Sequence, residues 1–164
     1  MIATEKPAVL VIGVGNPLRG DDGAGPAVIQ CLQNRLPPSV ATLQLDSDGV
    51  SLIEAWRDFE RVILVDAAGS GAVPGFIHRF DVSRTELPRG LFHYSSHLFG
   101  VAEAVELARQ LGRLPERLVV YGIEGAVFAY GEGLSAAVAA AVERVAHEII
   151  VELGEATHLR RDSL

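Results

Sequence analysis

The sequence predicts an α/β fold: three layers, with helices on both faces of a mostly parallel sheet. Three observations support this. Short apolar runs of strand length, VLVI at 9–12, RVILVD at 61–66 and LVVYGI at 118–123, have the composition of strands buried on both faces. Segments between and after them repeat apolar residues at helical spacing, most clearly Val138, Val142, Val145, Ile149 and Leu153. Strand and helix alternate along the chain, as parallel strands joined by crossover helices require. In such domains ligands bind beyond the carboxyl ends of strands, at a switch point.

The first strand, 9–12, runs into Gly13 and Gly15, which allow a tight turn. Pro26 suits the first turn of the following helix, and Val28, Ile29, Leu32 and Leu36 give that helix one apolar face, ending at Pro37-Pro38. Residues 40–46 alternate as a strand, and Asp48-Gly49 makes a turn. Leu52, Trp56 and Phe59 then share one side of a short helix for which Asp48 or Ser51 is the expected cap. The strand 61–66 ends in Asp66, followed by Ala67-Ala68-Gly69-Ser70-Gly71. Residues 75–82, GFIHRFDV, read as a strand with Ile77 and Phe80 inward and His78 at the boundary. After a polar loop, Ser95 or Ser96 is expected to cap a helix whose buried face is Leu98, Val101, Ala102, Val105 and Ala108. That places His97 in its first turn, where the positive helix end favours a neutral, metal-binding imidazole; His93 is the rival. The strand 118–123 precedes Glu124, the glycine- and aromatic-rich loop 125–134 is expected to line a cleft, and Ser135 starts the long last helix.

The chain has 164 residues, 49% of them apolar, enough for one domain with an ordinary core. We assign 1–154 to that domain and 155–164 to a polar tail expected to fray. A net charge of −7 and a pI near 5.2 argue against a nucleic-acid surface. No run of about 20 uncharged apolar residues suggests a membrane span, and the apolar stretch near the start lacks the pattern of a signal peptide. The single Cys31 fits a reducing compartment and, within a helix, a packing role. The expected location is the cytoplasm.

The chemistry concentrates in VLVIGVGNPLRGDDGAGPAVIQCL, residues 9–32. Its Gly-x-Gly begins like a dinucleotide loop, and Asp46 lies where a ribose-binding acid would. The pattern then breaks: Leu18 occupies the sixth position, Pro17 removes an N–H that a phosphate would use, and Asp21-Asp22 would repel a pyrophosphate. No Gly-Lys-Ser/Thr follows, so a P-loop is excluded, and His147-Glu148 lacks the second histidine of a zinc-protease helix, Val151 standing in its place. Adjacent acids in such a loop serve either as helix caps or as cation ligands. Asp22, Asp66 and His97 all fall beyond strand ends or at a helix start. Two carboxylates and one imidazole suit a borderline-hard divalent ion such as Ni²⁺, Zn²⁺, Mn²⁺ or Fe²⁺.

These residues resemble the hydrogenase maturation endopeptidases, which trim the C-terminus of a nickel-containing hydrogenase large subunit. The anchors are Gly13-Val14-Gly15-Asn16 with Asp21-Asp22-Gly23-x-Gly25, then Val65-Asp66-Ala67, Ser95-x-His97-x-x-Gly100, Gly122-Ile123 and Gly133-Leu134-Ser135. The resemblance implies a phosphorylase/hydrolase-like α/β/α domain with a mixed five-stranded sheet, the antiparallel strand being 75–82. It implies metal-binding positions at Asp22, Asp66 and His97, with Asp22 and Asp66 as catalytic candidates. The Ni²⁺ would arrive with the substrate, a precursor of a nickel-iron hydrogenase large subunit, so that recognition checks for an installed metal. The turn Ser47-Asp48-Gly49 departs from the Gly-Gly-Thr-like turn of the best-known members and adds Asp48 as a cleft candidate. The alternative functions are a non-catalytic nickel carrier for hydrogenase assembly, which would itself hold Ni²⁺ tightly, and a nucleotide enzyme centred on Gly13, Gly15 and Asp46.

Overall fold

A computed structural model describes residues 7–46, 48–88, 90–92 and 99–161, with side chains through 155. Five strands form one sheet in the order β2-β1-β3-β5-β4. They are β1 (Val9–Val14), β2 (Val40–Leu45), β3 (Arg61–Ala68), β4 (Ile77–Asp81) and β5 (Arg117–Glu124). Among the described residues the α-helices are α1 (Ala24–Leu32), α2 (Gly49–Trp56), α3 (Val101–Gln110) and α4 (Ala136–Arg161). All strand pairs are parallel except β4 with β5, which makes the stretch read as GFIHRFDV the antiparallel edge strand.

Side chains alternate across each strand and so divide the core into two. Val11, Ile63, Val65, Val119 and Tyr121 face α1 and α4, where they meet Val28, Leu32, Val142 and Ile149. Leu10, Ile12, Val62, Leu64, Leu118 and Val120 face α2 and α3, meeting Leu52, Trp56, Val101 and Val105. This two-sided burial explains why the central strands read as unbroken apolar runs rather than as alternating ones. The edge strand β4 sends Ile77 to the first cluster and Phe80 to the second.

Among the helices, three boundaries differ from the sequence reading. α1 ends at Leu32, not Leu36, because the chain turns back through Asn34 in the left-handed region at φ 63°; Leu36 still packs on the α1–α4 core from outside the helix. Asp48 caps α2, accepting from Val50 N–H (3.0 Å) and the Ser51 hydroxyl (3.0 Å), so Gly49 is the first helical residue rather than part of a separate turn. α4 continues to Arg161, through much of the segment set aside as a tail. No described helix is long and apolar enough to cross a membrane.

From β1 the chain crosses α1 to β2 on one side and returns through α2 to β3 on the other, so the strand order reverses between β1 and β3. The carboxyl ends of these two adjacent parallel strands therefore lie at a topological switch point, where open α/β sheets bind ligands.

Candidate functional site

The loop leaving β1 is shaped by backbone contacts. Gly15 sits at φ +137°, and a Cβ there would collide with the carbonyl of Asp22, so the loop folds tightly on itself only because position 15 is glycine. Arg19 N–H donates to Asn16 O (3.1 Å), Asp22 N–H to Arg19 O (3.1 Å) and Leu18 N–H to Asn16 Oδ1 (2.9 Å). A 3₁₀ turn, Gly20–Gly23, then leads into α1. Asp22 on that turn is buried, and its Oδ2 accepts the N–H of Asn16 at 2.9 Å. Neither acid caps α1, whose N-cap is Gly23 with no side-chain bond.

Asp66 lies within β3, two residues before its end, rather than in the loop the sequence reading assigned to it. It is in register with Gly122 of β5 and follows Val62 and Leu64 on the side of the sheet that α3 covers. Its carboxylate is buried and accepts the N–H of Ala67 at 2.8 Å. Burial, reinforced by the negative charge of Asp22, pushes its pKa well above the usual carboxylate range, and the Ala67 N–H offsets only part of this. Two acids on different elements thus sense each other at the β1–β3 switch point. Such a pair favours a bound divalent cation, which would remove the repulsion and release the proton of Asp66.

His97, the third expected ligand, and its rival His93 lie outside the described residues, as do Ser95, Ser96 and Leu98. α3 begins at Val101 with Gly100 at its N-cap and Glu103 accepting the Gly100 N–H (3.2 Å). Among the described residues no three His, Cys, Asp or Glu side chains gather as a metal site. Ser47 is likewise outside the described residues, whereas Asp48 is engaged in capping α2.

Two buried acids have structural partners that the sequence did not reveal. Asp21, fully buried, accepts from Ala126 N–H (2.7 Å), Val127 N–H (3.0 Å), Ser135 N–H (2.7 Å) and the Ser135 hydroxyl (3.0 Å). Burial alone would raise its pKa, but the Val127, Ala126 and Ser135 donors together outweigh it and hold the carboxyl below the ordinary value. Glu124, 2% exposed, accepts from Ser70 N–H (2.7 Å), Gly71 N–H (2.9 Å) and the Ser70 hydroxyl (3.0 Å), and pairs with His78 Nε2 at 3.1 Å. It pins the loop after β3 to the end of β5. Here too burial acts upward, while His78 and the Ser70 and Gly71 donors bring the net shift below the usual glutamate range. The one signal in the sequence was an acid directly after a buried strand.

A family model described as hydrogenase maturation protease matches residues 26–152, most of the chain, beginning just after Asp22. The chain belongs to the hydrogenase maturation protease family. Within this family, the hydrogenase expression/formation protein HupD of Thiocapsa roseopersicina is 32% identical over 122 residues, 72% of this chain and 54% of HupD. The chain thus spans about half the length of that curated relative. The hydrogenase maturating endopeptidase HybD of E. coli superimposes with a TM-score of 0.75 at 25% identity, covering 90% of this chain and 93% of HybD. The [NiFe] hydrogenase maturation protease HybD of Thermococcus kodakarensis gives a TM-score of 0.68 at 27% identity, covering 88% and 97%.

Proposed function

We propose that this chain is an endopeptidase that removes the C-terminal extension of a nickel-iron hydrogenase large-subunit precursor in the cytoplasm, and that it recognises the nickel already bound to that precursor. The observation that carries the reading is the Asp22–Asp66 pair at the β1–β3 switch point, in a chain of the hydrogenase maturation protease family. The nickel is part of the substrate. Asp22, Asp66 and His97 are its proposed ligands, a donor set of two carboxylates and one imidazole that fits Ni²⁺. A metal-free precursor offers nothing to offset the burial of Asp66 beside Asp22, so it docks less favourably.

The ion would hold the scissile segment in register and polarise its carbonyl or an attacking water. Asp22, whose carboxylate is held by the Asn16 N–H, and Asp66 are the candidate general bases for that water. Mass spectrometry of a nickel-loaded and a metal-free precursor, before and after incubation, tests the reading. The expected result is loss of the extension only from the loaded form, and no cleavage by Asp22→Asn, Asp66→Asn or His97→Ala proteins that remain folded. Equal cutting of both forms would overturn nickel recognition. An uncut loaded precursor would overturn the protease role.

A further inference from the structure

We propose that Asp21 is a positioning residue: it locks the turn carrying Asp22 onto the 125–135 loop and thereby fixes where Asp22 stands against Asp66. For cleavage, this inference rests on the endopeptidase reading above.

An acid in a turn before a helix ordinarily bonds to its own turn or caps its own helix. The hydrogen bonds that the Asp21 carboxylate accepts instead come from residues 105 to 114 positions later in the chain. Three backbone N–H groups and one hydroxyl converge on its two oxygens: Ala126, Val127 and the Ser135 hydroxyl on Oδ2, the Ser135 N–H on Oδ1. Ser135 immediately precedes α4, yet its hydroxyl donates to Asp21, so the carboxylate serves the start of that helix from across the molecule.

The main chain closes the same seam. Asp21 N–H donates to Val127 O (2.7 Å), Gly20 N–H to Glu132 O (3.1 Å) and Gly131 N–H to Leu18 O (3.0 Å). The 3₁₀ turn is four residues long and has no side-chain cap of its own, so its position is set by this seam rather than by helical propensity. Asp22 is the next residue, and its carboxylate is held by the Asn16 N–H. A displacement of Asp21 is therefore passed directly to the acid that faces Asp66. Groups that orient a ligating carboxylate in this way act through it and touch neither the metal nor the scissile bond.

Asp21→Asn is the decisive variant. Its amide has the shape of the carboxylate, but its NH₂ must face either the Ala126 and Val127 N–H groups or the Ser135 N–H. Neither orientation satisfies every donor. Two readouts are needed. On a nickel-loaded precursor, kcat should fall by about 10- to 100-fold while KM moves by less than about 3-fold. An Ile149→Ala control, destabilised through the α4 core, should keep its kcat below its melting point. Without any substrate, amide exchange should quicken at Asn16, whose N–H rests on Asp22, as well as at Ala126, Val127 and Ser135.

Faster exchange confined to 126, 127 and 135, with Asn16 protection intact, would overturn the proposal and leave Asp21 as a cap for α4. So would an unchanged kcat, or one that falls equally in the Ile149→Ala protein. Should Asp21→Asn fail to fold, Ser135→Ala removes a single donor and should shift Asn16 exchange in the same direction by less; no shift there overturns the proposal. If the unaltered protein leaves the loaded precursor uncut, the endopeptidase reading fails. The exchange data still decide the role of Asp21.

Discussion

Glu124 offers the sharpest test of how the loop after β3 is braced. Its carboxylate, 2% exposed, receives two backbone N–H groups, a hydroxyl and an imidazole nitrogen, and it ties Ser70 and Gly71 to β5 two residues beyond the end of the strand that carries Asp66. Glu124→Gln preserves size and one acceptor oxygen but removes the charge. Hydrogen bonds to a charged group contribute about 1.5–3 kcal/mol against about 0.5–1.5 for neutral ones. The loss, about 1 kcal/mol per bond, applies in full to the backbone donors and less to the hydroxyl and imidazole, which can reorient. The sum is roughly 2–3 kcal/mol, or roughly 5–10 °C in Tm for a chain of this size. Glu124→Ala leaves the Ser70 and Gly71 N–H groups without their acceptor and empties a buried site, and should cost about 3–5 kcal/mol.

The pH dependence follows from the direction of the shift. A carboxyl whose folded pKa lies below its unfolded value stabilises the fold above the unfolded pKa, and the contribution fades as pH falls through the folded value. The Gln deficit should therefore be constant at neutral pH, begin to close below about pH 4.3, and be nearly gone once wild-type Glu124 is protonated. Denaturant melts of both proteins at a series of pH values provide the measurement. Equal stability at pH 7, or a deficit that does not change with pH, would refute the reasoning.

Two further predictions concern the site and the packing behind it. Asp66 has the opposite shift, raised above its unfolded value by burial and by Asp22, so its ionisation opposes folding at neutral pH. Metal-free Asp66→Asn should accordingly be more stable than wild type at pH 7 by about 1–2 kcal/mol, and the gain should shrink as pH falls through the raised Asp66 midpoint; paired calorimetric scans check both. Gly25 lies where α1 meets the sheet, and a Cβ there would strike the carbonyls of Val14 and Val65, atoms that cannot swing aside. Gly25→Ala should lose on the order of 3 kcal/mol in urea melts, whereas a loss below about 0.5 kcal/mol would mean that α1 shifts without strain.

Local sequence determined the kind and order of the elements. Runs such as RVILVD could only be strands covered on both sides, and the mirrored spacing of Val138, Val142, Val145 and Ile149 could only be a helix with one buried stripe. The alternation of the two placed Asp22 and Asp66 at one rim; the antiparallel strand at 75–82 came from the family resemblance, and its place at the sheet edge from the fold alone. Periodicity reports which face is buried, because burial acts on each residue separately. It carries no information about which polar groups meet across a hundred residues. Asp21 and Asp22 are neighbours of identical chemistry in the sequence, yet the packing of α4 against α1 gives one of them the donors of Ala126, Val127 and Ser135 and leaves the other beside Asp66. The same holds for Glu124 and His78, which meet only because β4 runs antiparallel along β5. The seam between the acid loop and the start of α4 thus arose from tertiary packing alone, since a buried carboxylate must find donors wherever the fold brings them.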